Sequence, residues 1–408
     1  MSGSQAGDGP LAGLRVLELA DEKGQFCGKL MADLGADVIK IEPPQGCASR
    51  AVGPFFNDQP HPDRSLYFWY YNTSKRGITL DLGASAGQEA FRRLAASADV
   101  VLETFEPGRM AEMGLGYDVL AKVNPGLVYC ALTPFGQDGP WAHYQSSDLL
   151  HMAAGGEMAS CGYDEEDVAG APPIAPGGGN AWHMGGHYAY IAIMAALFER
   201  MVSGKGQFLD VSIHEACALT TESAIANYIY RGEVLVRHTG RHHAAGPSPR
   251  TLFMAKDGKY VTALVGGRLN PKYVRDLAAF LGHYGMAGDL DDPKYQDPKE
   301  IEAATDHIID DLVANFIASL PAEEVYHAAQ QRGFTWATVR APEDLLEDGH
   351  LKDRDFWKDV EHPELGRSFV YPGEAAIYNG TPWMISRRAP LLGEHTAEVL
   401  RDAGIEPM

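Results

Sequence analysis

The chain has 408 residues, with 55 Asp or Glu against 34 Lys or Arg and a formal charge of -21. This length suits one large domain with a smaller one. The charge excludes a nucleic-acid surface and a polybasic membrane patch, so an anionic ligand must be held by local Arg, Lys or backbone N–H groups.

After a polar leader with no basic region and apolar run, Leu14 to Leu19 (L-R-V-L-E-L) reads as a buried strand. Gln25 to Leu34 follows as a helix and Asp37 to Glu42 (D-V-I-K-I-E) as a second strand. The intervening turn, A-D-E-K-G-Q-F-C-G, lacks the G-x-G-x-x-G of a dinucleotide site. In S-L-Y-F-W-Y-Y-N-T-S-K-R-G-I-T-L-D-L, aromatic residues lead into a strand at Ile78 to Leu82. Helix 84–97, strand 99–104, a helix near Tyr117 to Lys122 and strand 127–133 continue the alternation, which implies a mostly parallel sheet covered on both faces.

Glycines, prolines and the acidic run at 164–167 then break the rhythm for some forty residues. An apolar helix begins near His183, strand F-L-D-V-S-I follows G-K-G-Q, and a helix runs from Glu215 to about Tyr230. The pattern changes at R-H-T-G-R-H-H, with strand 259–265 and acidic helices, so a smaller domain is expected at 231–330. The large domain then comprises 10–230 and the returning segment 331–408, including strand 335–340 and a short amphipathic helix near the end. The five cysteines, Cys27, Cys47, Cys130, Cys161 and Cys217, form no C-x-x-C, and no run of about eighteen apolar residues occurs. The expectation is a cytoplasmic protein without disulfides, zinc knuckle or membrane span.

The stretch from Ser146 to His187 concentrates reactive groups: S-S-D-L-L-H-M-A-A-G-G, the acidic patch, then P-P-I-A-P-G-G-G-N-A-W-H-M-G-G-H. His183 and His187 share a face at the start of a helix, where the positive end of the dipole favours neutral imidazoles. His151 lies three residues after Asp148, near enough along a helix for the carboxylate to orient its ring. Asp148 equally reads as a helix cap, and each histidine as a packing residue. H-x-x-x-H without a third ligand gives no metal site.

Taken together, P-L-A-G-L-R-V-L-E-L, L-M-A-D-L-G-A-D-V-I-K-I-E, N-T-S-K-R-G-I-T-L-D-L, E-P-G-R-M-A-E-M-G-L-G-Y, F-G-Q-D-G-P, G-K-G-Q and A-P-L-L-G-E-H-T resemble the family III CoA-transferases of the CaiB/BaiF type, in order and across nearly the whole chain. The resemblance implies an α/β fold: a Rossmann-like large domain, a smaller inserted α+β domain, and an interlocked, ring-like homodimer. It implies acyl-CoA and a carboxylic acid as partners, with coenzyme A entering as a substrate thioester. Leu80, Thr104, Phe105 and Thr133 fall where relatives line the CoA site. Pro43 and Glu112 replace arginines, leaving Lys75, Arg76 and Arg109 as candidates for the phosphates.

The transferase mechanism needs a loop aspartate that forms a mixed anhydride and then an aspartyl-CoA thioester. Counted back from G-K-G-Q, that position is Ala181 or Trp182. The racemase arrangement of the family needs a His before an Asp, and Ser147 stands there. Asp148, His151, His183 and His187 are the remaining catalytic candidates. The reading is therefore a CoA-transferase with an atypical site. A racemase or isomerase using histidine acid/base chemistry and a non-catalytic CoA-binding protein are the alternatives.

Overall fold

Strands β1 (Arg15–Leu19) and β2 (Asp37–Glu42) flank helix α1 (Gln25–Asp33), and both strands are buried along nearly their whole length. Continuous Val, Ile and Leu is what a strand covered on two faces requires. The structure is a computed structural model describing residues 9–164, 167–241, 243–246, 248–265 and 269–406. Most of the polar leader, the centre of the acidic run (Glu165 and Glu166) and His242 of the histidine-rich stretch lie outside the described residues.

Two charges interrupt the apolar opening. Glu18 stands beside Lys40 in the β1–β2 register and meets its Nζ at 2.9 Å. The chain continues through α2 (Leu66–Tyr71), β3 (Arg76–Thr79), α3 (Ser85–Ala95), β4 (Val100–Glu103), α4 (Arg109–Glu112), α5 (Tyr117–Val123) and β5 (Val128–Thr133). It then forms α6 (Asp148–Ala154), α7 (Asn180–Ser203), β6 (Phe208–Ser212) and α8 (Ile213–Leu219).

The six strands pair in parallel in the order β3-β2-β1-β4-β5-β6. The direction of winding reverses between β1 and β4, and an open α/β sheet binds ligands outside the carboxyl ends of its strands at such a point. Helix α3 covers one face by burying Gly87, Ala90, Phe91, Leu94 and Ala95, a helical stripe packed on Leu17, Ile39, Ile78 and Val101.

The aromatic run that leads into β3 is itself a helix, and the strand begins at Arg76, ahead of the expected Ile78. Ser65 Oγ accepts the Phe68 N–H at 3.0 Å, capping α2, while Phe68 and Trp69 bury. The expected long helix after Glu215 is also broken: α8 ends at Leu219 and α9 (Ala224–Arg231) starts anew.

The chain divides into two compact units. The first runs through Gly155, resumes for Pro176–Thr220 and again from Gly349; the second comprises Gly156–Ala175 and Thr221–Asp348. In the second, β7 (Leu252–Met254), β8 (Tyr260–Ala263), α10 (Pro271–Gly282), α11 (Pro298–Ala303), α12 (Ala314–Ser319), α13 (Ala322–Gln330) and β9 (Trp336–Thr338) surround a core including Phe253, Val261, Phe280, Phe316 and Trp336. Strand β9 pairs antiparallel with β8, so the chain remains in this unit beyond 330, correcting the expected return at 331. Pairing with β8 buries Trp336, a gain that local sequence does not display. Helix α14 (Gly349–Asp353), hairpin β10 (Trp357–His362) and β11 (Arg367–Pro372), and α15 (Thr396–Asp402) complete the first unit.

Candidate active site

Helix α7 begins where the glycine-rich segment ends. Gly179, at φ +69°, turns the chain into it, a left-handed conformation that glycine adopts without a Cβ penalty. The first turn of α7 needs acceptors for its free N–H groups. Asp148 supplies one: its Oδ1 accepts the Ala181 N–H at 2.8 Å. The cap of α6 itself is Ser147, whose Oγ accepts from Leu150 N at 3.2 Å. Asp148 therefore caps the neighbouring helix rather than its own.

His183 and His187 sit one turn apart, but their surroundings differ. His183 Nε2 lies 2.7 Å from Tyr71 Oη, and its ring stacks on Phe26 with centroids 4.5 Å apart. Burial and His187 hold the His183 pKa below the ordinary value, with Asp148 opposing, so the imidazole is neutral near pH 7. Neutral His183 can serve as an acceptor toward Tyr71, whose own pKa is raised by burial and the neighbouring Tyr67 and Tyr70. His187 is exposed and its Nδ1 lies 3.0 Å from the His183 carbonyl oxygen, which fixes the proton on that nitrogen. Asp148, His183 and Tyr71 thus form one group, with Tyr67 beside them.

His151 is in a different place. It is fully buried, against Phe135 at 5.0 Å and Trp182 at 5.7 Å, and neither ring nitrogen has a hydrogen-bond partner among the described residues. Burial, with smaller contributions from His214 and Lys23, pushes its pKa down to about 4. Asp148 does not orient the His151 ring, because its carboxylate accepts from the start of α7.

The CoA-site candidates divide by strand end. Leu80, Thr104, Phe105 and Thr133 stand at or just beyond the carboxyl ends of β3, β4 and β5. Thr104 Oγ1 donates to Asp21 Oδ1 at 2.9 Å and accepts from Asp21 N at 3.0 Å, joining the ends of β1 and β4 at the reversal point. Arg109, just past β4, is exposed and pairs with Glu112 at 3.1 Å.

Lys75 and Arg76 are corrections. Lys75 is wholly buried; its Nζ donates to Gln25 O at 2.8 Å and Asn72 Oδ1 at 2.9 Å and pairs with Glu18 at 2.7 Å, leaving no proton for a phosphate. Burial lowers its pKa to about 8. Gly28 allows the close approach: a Cβ there would lie 1.7 Å from Glu18 Oε2. Arg76 sits at the amino end of β3, opposite the ligand crevice, and binds Asp37 at 2.9 and 2.7 Å and Glu398 at 2.9 Å.

Sequence reasoning missed Tyr67 and Tyr71. Their i, i+4 spacing places both on one face once Ser65 is recognised as a cap. It also missed Phe26, which carries His183. Among the described residues no group of three or more His, Cys, Asp or Glu could hold a metal ion, and no helix is long and apolar enough to cross a membrane.

A parallel sheet wound 3-2-1-4-5-6, with a polar joint at its reversal point, makes this a doubly wound α/β protein. The chain belongs to CoA-transferase family III, whose sequence pattern matches residues 11–396. It is 33% identical to succinyl-CoA:(R)-benzylsuccinate CoA-transferase subunit BbsE of Thauera aromatica, covering 96% of this chain and 93% of that one. It is 31% identical to the succinyl-CoA–L-malate CoA-transferase beta subunit of Chloroflexus aurantiacus, covering 96% and 94%. A solved CaiB/BaiF family protein from Brucella suis superposes with a TM-score of 0.82 at 27% identity, over 97% of this chain and 99% of that one.

Proposed function

We propose that this chain works in transfer of coenzyme A from an acyl-CoA, with succinyl-CoA the first donor to try, to a carboxylic acid. The observation that carries the reading is Asp148 at the mouth of the glycine-rich segment. Its Oδ1 is fixed by the Ala181 N–H, which leaves Oδ2 as the attacking oxygen of the carboxylate nearest the position where a loop aspartate is missing. In the family chemistry the carboxylate attacks the thioester carbonyl and expels the CoA thiolate. The thiolate then attacks the aspartyl carbonyl of this mixed anhydride, releasing the donor acid and leaving aspartyl-CoA. The acceptor carboxylate attacks that carbonyl and expels the thiolate again, and the thiolate attacks the acceptor carbonyl of the second anhydride to give the new acyl-CoA and free the aspartate. The Ala181 N–H stabilises the negative charge that develops on Oδ1 when the aspartyl carbonyl is attacked.

A second reading is favoured by the two relatives named above, both of which carry names of subunits. In that reading this chain is one of two different chains in a CoA-transferase, and the acyl-accepting carboxylate belongs to the other. One experiment separates them. Incubation of the purified chain with succinyl-CoA, followed by intact-mass measurement, gives an adduct that Asp148→Asn abolishes if Asp148 is the nucleophile. No adduct on the chain alone, with turnover appearing only when a companion chain is added, establishes the second reading.

A further inference from the structure

One strand beyond the β1–β4 crevice, the end of β4, the beginnings of β5 and β6 and the start of α5 line a cleft of about 420 Å³ whose walls include Glu103, Tyr117, Asp118, Tyr129, Gln137 and Phe208. Three of these are aromatic rings packed on one another: Tyr117 and Phe208 at 5.9 Å, Tyr129 and Phe208 at 5.7 Å, Tyr117 and Tyr129 at 6.2 Å. Two polar groups are left over. Tyr129 is 1% exposed and its hydroxyl has no hydrogen-bond partner among the described residues; the Gln137 amide nitrogen has none either. Glu103, 4% exposed, accepts the Phe105 N–H at 2.7 Å.

The charges around this cleft are one-sided. Asp21 and Asp210 act on Glu103 from β1 and β6, Asp118 lies in the cleft wall, and Lys23, the cation acting on Glu103, is already paired with Asp21. Tyr117, Tyr129 and Cys130 are the other titratable groups around it, and they carry no positive charge. A buried carboxylate ringed by like charges and aromatic faces is stabilised by a cation, through Coulomb attraction and cation–π contact together.

We propose that this cleft is a binding site for an organic cation of the guanidinium or ammonium class, held by the Glu103 carboxylate and the faces of Tyr117, Tyr129 and Phe208. The Tyr129 hydroxyl is an acceptor for one of its N–H groups. Because burial, Asp21 and Asp210 push the Glu103 pKa to about 8, entry of the cation at neutral pH displaces the Glu103 proton to solvent.

Calorimetric titration of the full chain with n-butylguanidinium, which stays charged throughout, tests this. Affinity is expected to rise about tenfold between about pH 6 and about pH 7 and to level off above about pH 8, with one proton released per ligand at the lower pH. Glu103→Gln abolishes the pH dependence and weakens binding at least tenfold, and n-pentanol, a neutral analogue of similar size, does not compete. Proton release by the unaltered chain needs no variant, so a misfolded Glu103→Gln leaves the test standing. Affinity independent of pH, absence of proton release or equal competition by n-pentanol overturns the proposal.

Discussion

His151 shows how a residue's setting decides its chemistry. A histidine three positions after an aspartate invites an ion pair, yet here the imidazole is sealed among Phe135, Trp182 and His214, and Asp148 serves α7. Its folded-state pKa of about 4 lies below the ordinary value of 6.5. As pH falls through that interval the unfolded chain binds the proton and the folded chain does not, so stability is lost between about pH 6.5 and about pH 4. The melting temperature should therefore fall more steeply with acidification in the unaltered chain than in His151→Phe. Parallel profiles from about pH 7 to about pH 4 would mean that His151 titrates normally and is not sealed. At Asp148 the same distinction separates two roles: Asn keeps an oxygen for the Ala181 N–H, whereas Ala removes the cap as well, at about 1 kcal/mol of stability.

At the scale of elements, the Glu18–Lys40–Lys75 cluster ties β1, β2 and the segment before β3 to α1, which Lys75 reaches through the Gln25 carbonyl. Without Lys75 the Glu18 carboxylate keeps Lys40, but the Gln25 carbonyl and the Asn72 amide oxygen lose a buried charged donor, a loss of about 1–3 kcal/mol. Lys75→Met is expected to lower unfolding free energy by that order in chemical denaturation, with KM for acyl-CoA unchanged in the folded fraction. A raised KM at unaltered stability would restore a phosphate-binding role. Helix α2 teaches a related point. Its aromatic composition suits a strand, and only the Ser65 cap and the burial of Phe68 and Trp69 against Val360 and Tyr371, far along the chain, make the helix the lower state. The Tyr67–Tyr71 face that meets His183 depends on that outcome.

For the whole molecule, exposed apolar surface is the informative feature. At the end of α7, Phe198 is 72% exposed, Met201 82% and Val202 86%; in α9, Tyr230 is 85% exposed. Exposed apolar side chains gathered at the end of one helix mark an association surface, and an interlocked homodimer of the kind the family resemblance implies is the expected partner. Linked chains part only by unfolding, so light scattering should give twice the chain mass down to nanomolar concentration. A mass that falls smoothly to one chain on dilution would reject interlocking.

The alternating pattern of buried strands and helices was enough to place the parallel sheet, because strands covered on both faces carry their burial in their composition. Seven short motifs in order placed the family, and counting from G-K-G-Q put the expected position of the loop aspartate at Ala181 or Trp182. The domain boundary was less legible: β9 belongs to the second unit through pairing with β8, a contact between segments 73 or more residues apart. Partnerships of charged residues were not legible at all. Nothing local distinguishes Lys75, sealed against Glu18, from Arg109 on the surface, or tells that Asp148 turns to α7 and away from His151. Burial and partner choice depend on which elements fold against each other, so the sequence by itself determined the sheet and the family, while tertiary packing decided which ionisable groups remain available for chemistry.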